Sequence, residues 1–173
     1  MNPSDANSLC QECGLCCNGV IFADVQLRPA DGAARLRALG LAFTKKSKAG
    51  SDKFSQPCTA FGGCKCNIYS ERPTYCREFE CLLLKNVKAG GAKIGEARRV
   101  IRSALQQAEN VKTLLRQLGD NDETLALSKR FQRVRRKVER GPYDRDAAHI
   151  FGELTLTVHE LNILLSEKFY PAA

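Results

Sequence analysis

At 173 residues the chain is about the length of one domain. Its 43% hydrophobic and 27% charged content belongs to a globular protein, not a disordered one. No apolar run approaches the ~18 residues a membrane-spanning helix needs, so no membrane partner is expected. The opening MNPSDANS is polar and lacks a basic-then-apolar export signal. Nine cysteines, an odd number with no such signal, argue against a disulfide scaffold. They favour metal binding or redox chemistry in a reducing cytoplasm.

The charge is unevenly placed. Residues 1–82 hold ten Lys/Arg and eight Asp/Glu, whereas residues 83–173 hold seventeen and eleven. The formal net charge of +8 therefore divides into +2 and +6. Every cysteine lies at or before position 81. This divides the chain into a cysteine-rich metal-binding module, 1–85, and a basic helical half, 86–173, packed together as one compact unit.

The first cysteine group is the run C-Q-E-C-G-L-C-C, with Cys10, Cys13, Cys16 and Cys17. A C-x-x-C step lets two thiolates turn toward one ion, and Gly14 can take backbone angles other residues resist. The triple step has the spacing of loops that wrap an iron–sulfur cubane. Cys17 follows directly, however, and no C-P closes the run, so the bacterial ferredoxin pattern is not met. Adjacent Cys16 and Cys17 are expected to point apart, one of them serving a second site or packing inward. Residues 20–25, V-I-F-A-D-V, read as a short strand.

The second group is Cys58, Cys64, Cys66, Cys76 and Cys81. A metal shared between the two groups would close the loop 18–57 and substitute for hydrophobic burial that this segment lacks. Only His149 and His159 are available as imidazole ligands, and both lie in the distant half. A site in residues 10–81 is therefore all-thiolate or thiolate plus carboxylate, which favours zinc or iron–sulfur over magnesium or calcium. Asn67–Tyr69 read as a strand feeding a helix over 72–85, with Pro73 in its first turn, Cys76 on it and Phe79 packed inward. Tyr69, Tyr75 and Phe79 are the expected shield of the site. Lys65, Arg72 and Arg77 either offset the negative charge of bound thiolates or stand as ordinary exposed cations.

Over residues 9–82 the sequence resembles the YkgJ-type cysteine-cluster proteins, described as zinc- or iron-chelating domains. The residues that carry the likeness are C10-x-x-C13-G14-x-C16-C17, then Cys58, then C66-N-I68-Y69-x-x-R72-P73-x-x-C76-R77-x-F79-x-C81. The resemblance implies eight metal ligands: Cys10, Cys13, Cys16, Cys17, Cys58, Cys66, Cys76 and Cys81. Cys64 stands outside the pattern. That family is similar in turn to flagellin lysine N-methylases, which carry an iron–sulfur cluster. The resemblance thereby implies a metal centre, and more distantly a role in modifying a protein or peptide.

The remaining elements are helices. Ile94, Ala97, Ile101, Ala104, Ala108, Val111, Leu115 and Leu118 recur at steps of three and four, predicting a helix over 93–118 that stops at Gly119. A second helix is expected over 122–140, ending at Gly141-Pro142. A third starts near Asp144, with Phe151, Leu154, Val158, Leu161 and Leu165 along its stripe; its strand-like T-L-T-V at 155–158 is outweighed by that pattern. The fold class is thus α+β, mostly α: a small irregular cysteine module with short strands, followed by a three-helix antiparallel bundle.

The second helix carries seven Lys/Arg between Ser128 and Arg140 against one Glu. That face is either simply solvated, a dock for an acidic protein, or, more weakly supported for want of interleaved aromatics, a contact for nucleic acid. The glycine-rich K88-A-G-G-A-K-I-G95 is followed by Glu96 where a phosphate loop needs Lys-Ser/Thr. His149 and His159 are about 15 Å apart along one helix and cannot share an ion within it. No catalytic signature remains. The first functional expectation is a cytoplasmic metalloprotein with one or two thiolate-ligated centres, iron–sulfur ahead of zinc. The alternative is a structural-zinc module whose basic helix docks a partner.

Overall fold

In a computed structural model, the residues described are 3–44, 52–62, 65–141 and 145–170, with side chains from residue 8 onward and not at Thr44. Among them are seven α-helices and five short strands. The helices are α1 (Pro3–Cys13), α2 (Ala33–Ala38), α3 (Thr74–Glu78), α4 (Leu82–Lys88), α5 (Ile94–Gln117), α6 (Leu127–Arg140) and α7 (Arg145–Lys168). The strands are β1 (Asp24–Gln26), β2 (Phe43–Thr44), β3 (Lys53–Ser55), β4 (Phe61–Gly62) and β5 (Lys65–Cys66). The protein is mostly helical, as the periodicity of its second half requires.

The helical half is organised on α5. The buried face Ala97, Ile101, Ala104, Ala108, Val111 and Leu115 follows the predicted stripe, and Gly119 leaves the helix with φ +80°. Helix α7 packs along α5, while α1, α4 and α6 rest on it as well. Contact between α6 and α7 includes the stacked rings of Phe131 and Phe151, 6.4 Å apart. All three expected helices are present, but the grouping around α5 also takes in α1 and α4.

Helix α6 begins at Leu127, five residues later than expected. The intervening loop is held by charge. Arg130, 1% exposed, donates from Nε to Asp120 Oδ1 (2.9 Å) and from Nη2 to the Asp120 carbonyl (2.7 Å), and Arg133 donates to the other carboxylate oxygen. One of the seven basic residues of this helix is therefore a buried structural group. The Asp144 cap and Pro142 lie outside the described residues.

The cysteine half is thinner. Strands β1, β3 and β2 form one antiparallel sheet with β3 central, pairing Val25 and Phe43 with opposite sides of Phe54. Strands β4 and β5 form a separate hairpin that pairs Phe61 with Cys66. The expected strand 20–25 is confined to its end, because Val20 and Ile21 are buried in the helical core instead. The expected strand 67–69 is displaced: the strand ends at Cys66, and Tyr69–Glu71 form a 3₁₀ turn.

The single helix expected over 72–85 is broken. Phe79 leaves α3 in an extended conformation (φ −69°, ψ 120°) and packs its ring edge-on against Phe22 at 4.8 Å. Cys81 then caps α4, its sulfur accepting the Leu84 amide at 3.4 Å. That break sends Cys76 and Cys81 to different places. Other ties join the two halves: Leu127 donates its amide to the Gly19 carbonyl (2.9 Å), Leu82 to the Phe169 carbonyl (3.1 Å), and Arg98 binds Glu12 (2.9 Å). The larger core accordingly mixes Leu9, Leu15, Val20 and Ile21 with residues from α4 to α7.

Candidate metal centre

Helix α1 ends at Cys13 because Gly14 takes φ +64°. The reversal is fixed from outside, since the Phe61 ring lies where a side chain on residue 14 would be: a Cβ there would approach it to 2.6 Å. The amides of Cys17 and Asn18 both donate to the Gly14 carbonyl, making a tight turn. Cys10 and Cys13 therefore sit on the last turn of a helix, and Cys16 and Cys17 on the turn that follows.

Six of the eight cysteines of the motif fall into two neighbourhoods. Cys13, Cys16 and Cys81 pack against the larger helical core. Cys58, Cys66 and Cys76 pack against a second, smaller cluster of Leu27, Leu36, Leu41, Phe54, Ala60 and Ile68. Cys10, Cys13, Cys16, Cys17 and Cys81 line one small apolar cavity of about 60 Å³. Cys10, Cys16, Cys17, Cys66 and Cys76 line a larger one of about 410 Å³, so Cys10, Cys16 and Cys17 stand between the two. Cys58 joins the latter group through its amide, which donates to the Cys17 carbonyl at 2.8 Å. Cys16 packs against the larger core, and its neighbour Cys17 takes the Cys58 amide, although both line both cavities. Cys64 lies outside the described residues.

The electrostatics follow the division only in part, because after burial the cysteine that raises Cys10 is Cys66. Burial pushes the Cys13, Cys17 and Cys76 thiols up to about 12, and Cys16 well above its ordinary value. The next largest cause for Cys17 is the charge of Cys66, then Cys58 and Cys76. For Cys16 it is Cys13, then Cys10. Burial likewise raises Cys10, Cys58 and Cys81. Opposing it, backbone amides favour the thiolate: Leu15 at Cys13, Ala60 and Phe61 at Cys58, Leu84 at Cys81. All eight are free thiols.

Such sites fit a soft cation. Half-buried thiols brought together from residues 10–17 and 58–81, without disulfides and with amides already aimed at several sulfurs, lack only the positive charge that would make them thiolates. Among the described residues, no three Cys, His, Asp or Glu side chains close on one point tightly enough to hold an ion as they stand. Neutral thiols have nothing to draw them inward; thiolates around a cation do.

Arg72 is the cation placed nearest to act on the cysteines. It stacks on the Tyr69 ring with its guanidinium carbon 3.5 Å from the ring centroid, and donates to the Tyr69 carbonyl (2.8 Å) and the Cys76 carbonyl (3.4 Å). Its charge acts on Cys10 in one group and Cys76 in the other. Lys65 and Arg77 are exposed. Sequence reasoning missed Asp31, which accepts from the Thr74 amide and hydroxyl (2.7 and 2.5 Å) and the Arg28 amide (2.7 Å). Asp31 anchors the start of α3, and so Cys76, to the turn after β1. His149 and His159 are exposed on α7, far along the chain from every cysteine.

Comparison with protein-family models gives one result. Residues 9–110 match the CxxCxxCC model, "Putative zinc- or iron-chelating domain", more than half the chain. The chain belongs to the CxxCxxCC family. Comparison with curated proteins and with solved structures returned no match. The family match agrees with zinc or iron as the metal. It extends past the last cysteine into α5, the helix on which α1 and α4 rest. It does not reach the relation to flagellin lysine N-methylases. No helix among the described residues is long and apolar enough to cross a membrane.

Proposed function

We propose that this CxxCxxCC protein holds two metal centres, each bound by four thiolates: Cys10, Cys13, Cys16 and Cys81 at one, Cys17, Cys58, Cys66 and Cys76 at the other. The observation that carries this reading is that Cys16 packs against the larger core, while neighbouring Cys17 accepts the Cys58 amide on its carbonyl and feels, after burial, chiefly the charges of Cys66, Cys58 and Cys76. Four sulfurs per group suit tetrahedral zinc and cubane iron–sulfur alike. The C-x-x-C-x-x-C run puts iron–sulfur first. Bound metal supplies fixed positive charge and, if iron, an electron-transfer couple. The chain's own residues supply the thiols, the amides that point at them, and Arg72 as balancing cation. Eight unpaired thiols suit a reducing cytoplasm.

Anaerobic purification followed by iron, sulfide and zinc analysis tests the reading. A brown protein with acid-labile sulfide and broad absorption near ~400 nm supports the clusters. A colourless protein with two zinc ions per chain keeps the two centres and replaces the metal. A folded protein with neither metal refutes the proposal.

A partner is proposed on a second observation. Arg136, Lys137 and Arg140 line one open groove with Lys129 and Arg133. The last two are engaged, with Asp24 and with Asp120 and Asp122. The first three have no ion-pair partner among the described residues. This surplus supports docking of an acidic protein segment.

A further inference from the structure

Helix α7 carries its acids in a regular line. Asp146, Glu153, Glu160 and Glu167 are all of its carboxylates, and they recur every seven residues. Seven residues are nearly two turns, so the four fall along one side of the helix. All are exposed. Glu153 and Glu160 have no ion-pair partner among the described residues, and Glu167 meets only Lys168, at 3.8 Å. Beside this line stand Leu156, 66% exposed, and Ile163, 45% exposed, again seven residues apart. They are two of the four large hydrophobic side chains that the described residues leave exposed. An apolar pair this open, framed by unpaired carboxylates, marks a contact surface.

The complementary face is on the preceding helix. Lys129, Arg133, Arg136, Lys137 and Arg140 line the outer side of α6, away from the buried Leu127, Arg130 and Val134. Lys129 and Arg136 repeat the seven-residue interval, as do Arg133 and Arg140. Long basic stems can cover Leu156 and Ile163 while their charged ends meet Glu153 and Glu160. An open groove between the helices, lined by Phe131 and Arg135 from α6 and by Phe151, Thr155 and His159 from α7, joins the two faces into one surface. Lying side by side, they cannot cover each other within one chain. Between two chains, α7 against α7 would set acid on acid, and α6 against α6 cation on cation. Only α6 against α7 joins opposite signs.

We propose that this protein self-associates through these helices, the basic outer face of α6 in one copy seating on the acidic, Leu156- and Ile163-bearing stripe of α7 in a second copy. A two-fold axis makes the contact twice and closes the assembly as a dimer. The proposal rests on the docking of an acidic segment at α6 and names that segment; it is independent of the metal centres.

The test is sedimentation velocity of the metal-loaded full chain over a range of protein concentrations. It is run at ~0.15 M salt, where a Debye length of about 8 Å screens the general repulsion between chains of net charge +8. A dimer is expected. One variant changes Arg136, Lys137 and Arg140 to Glu, and another changes Glu153 and Glu160 to Arg. Each alone should dimerise more than about a hundredfold more weakly, because both of its contacts then oppose like charges. Mixed in equal amounts the two variants should pair with each other, since every contact between them again joins opposite signs. Leu156→Gln should weaken the wild-type dimer with all charges in place. Wild-type protein that is monomeric at every concentration overturns self-association; poly-glutamate binding to that monomer would keep α6 as a dock for acidic segments, and its absence would end both readings. A dimer that survives the α6 reversal but not Leu156→Gln is joined through α7 alone, and it too overturns the proposal.

Discussion

The two halves of the chain reach order by different means. Helices α5 and α7 are 24 residues each and bury continuous apolar stripes against one another. Residues 24–68 have strands of two or three residues among those described, where ~5–6 is usual, and a core cluster of six side chains. A segment that buries so little has to be held by something else. The cysteines, three of which (Cys58, Cys66 and Cys76) pack against that small core, are the means available. The comparison shows that a thin apolar core and a dense sulfur cluster are two sides of one arrangement.

Stripping the metal with a chelator is the harshest way to break the comparison. Structural zinc in small domains contributes about 10–16 kcal/mol of binding free energy, so its loss should unfold residues 10–81. Amide hydrogen exchange should then show protection lost from β1 to α3 and retained in α5 and α7. Uniform loss would mean that the halves are not separate in their stability.

Arg130→Met attacks the other half. It strips the buried Asp120 carboxylate of one partner and should cost about 3–5 kcal/mol, toward the lower end because Arg133 stays 2.6 Å away. Thermal unfolding should show the shift with metal content unaltered. A smaller effect, about 1–3 kcal/mol, is expected for Gly14→Ala, from the positive φ and the Phe61 ring together. Here metal retention should fall alongside melting temperature. Smallest in stability is the triple change of Arg136, Lys137 and Arg140 to Gln, within about 0.5 kcal/mol. Binding of a poly-glutamate peptide should nonetheless weaken and lose much of its salt dependence.

Legibility in the sequence follows the same boundary. Helix α5 could be read because seven buried positions repeat at helical spacing and a glycine ends it. Helix α1 could not, since its polar residues and cysteines show no such stripe in the sequence. The break at Phe79 depends on Phe22, 57 positions away, and no local pattern records that contact. Arg130 was hidden among six other cations, and only the buried Asp120 ten residues earlier separates it from them. The eight cysteines were legible from motif and spacing. The proposed division into fours was not, because it depends on contacts such as the Cys58 amide on the Cys17 carbonyl, which no local pattern records.

That division is most directly tested by Cys16→Ala and Cys17→Ala, compared by metal analysis and absorption spectroscopy. The account predicts that each variant keeps about half of the wild-type metal, that the two retained halves differ spectroscopically, and that the double variant keeps none. If either single change empties the protein, or if the two retain the same centre, the four-and-four arrangement is contradicted.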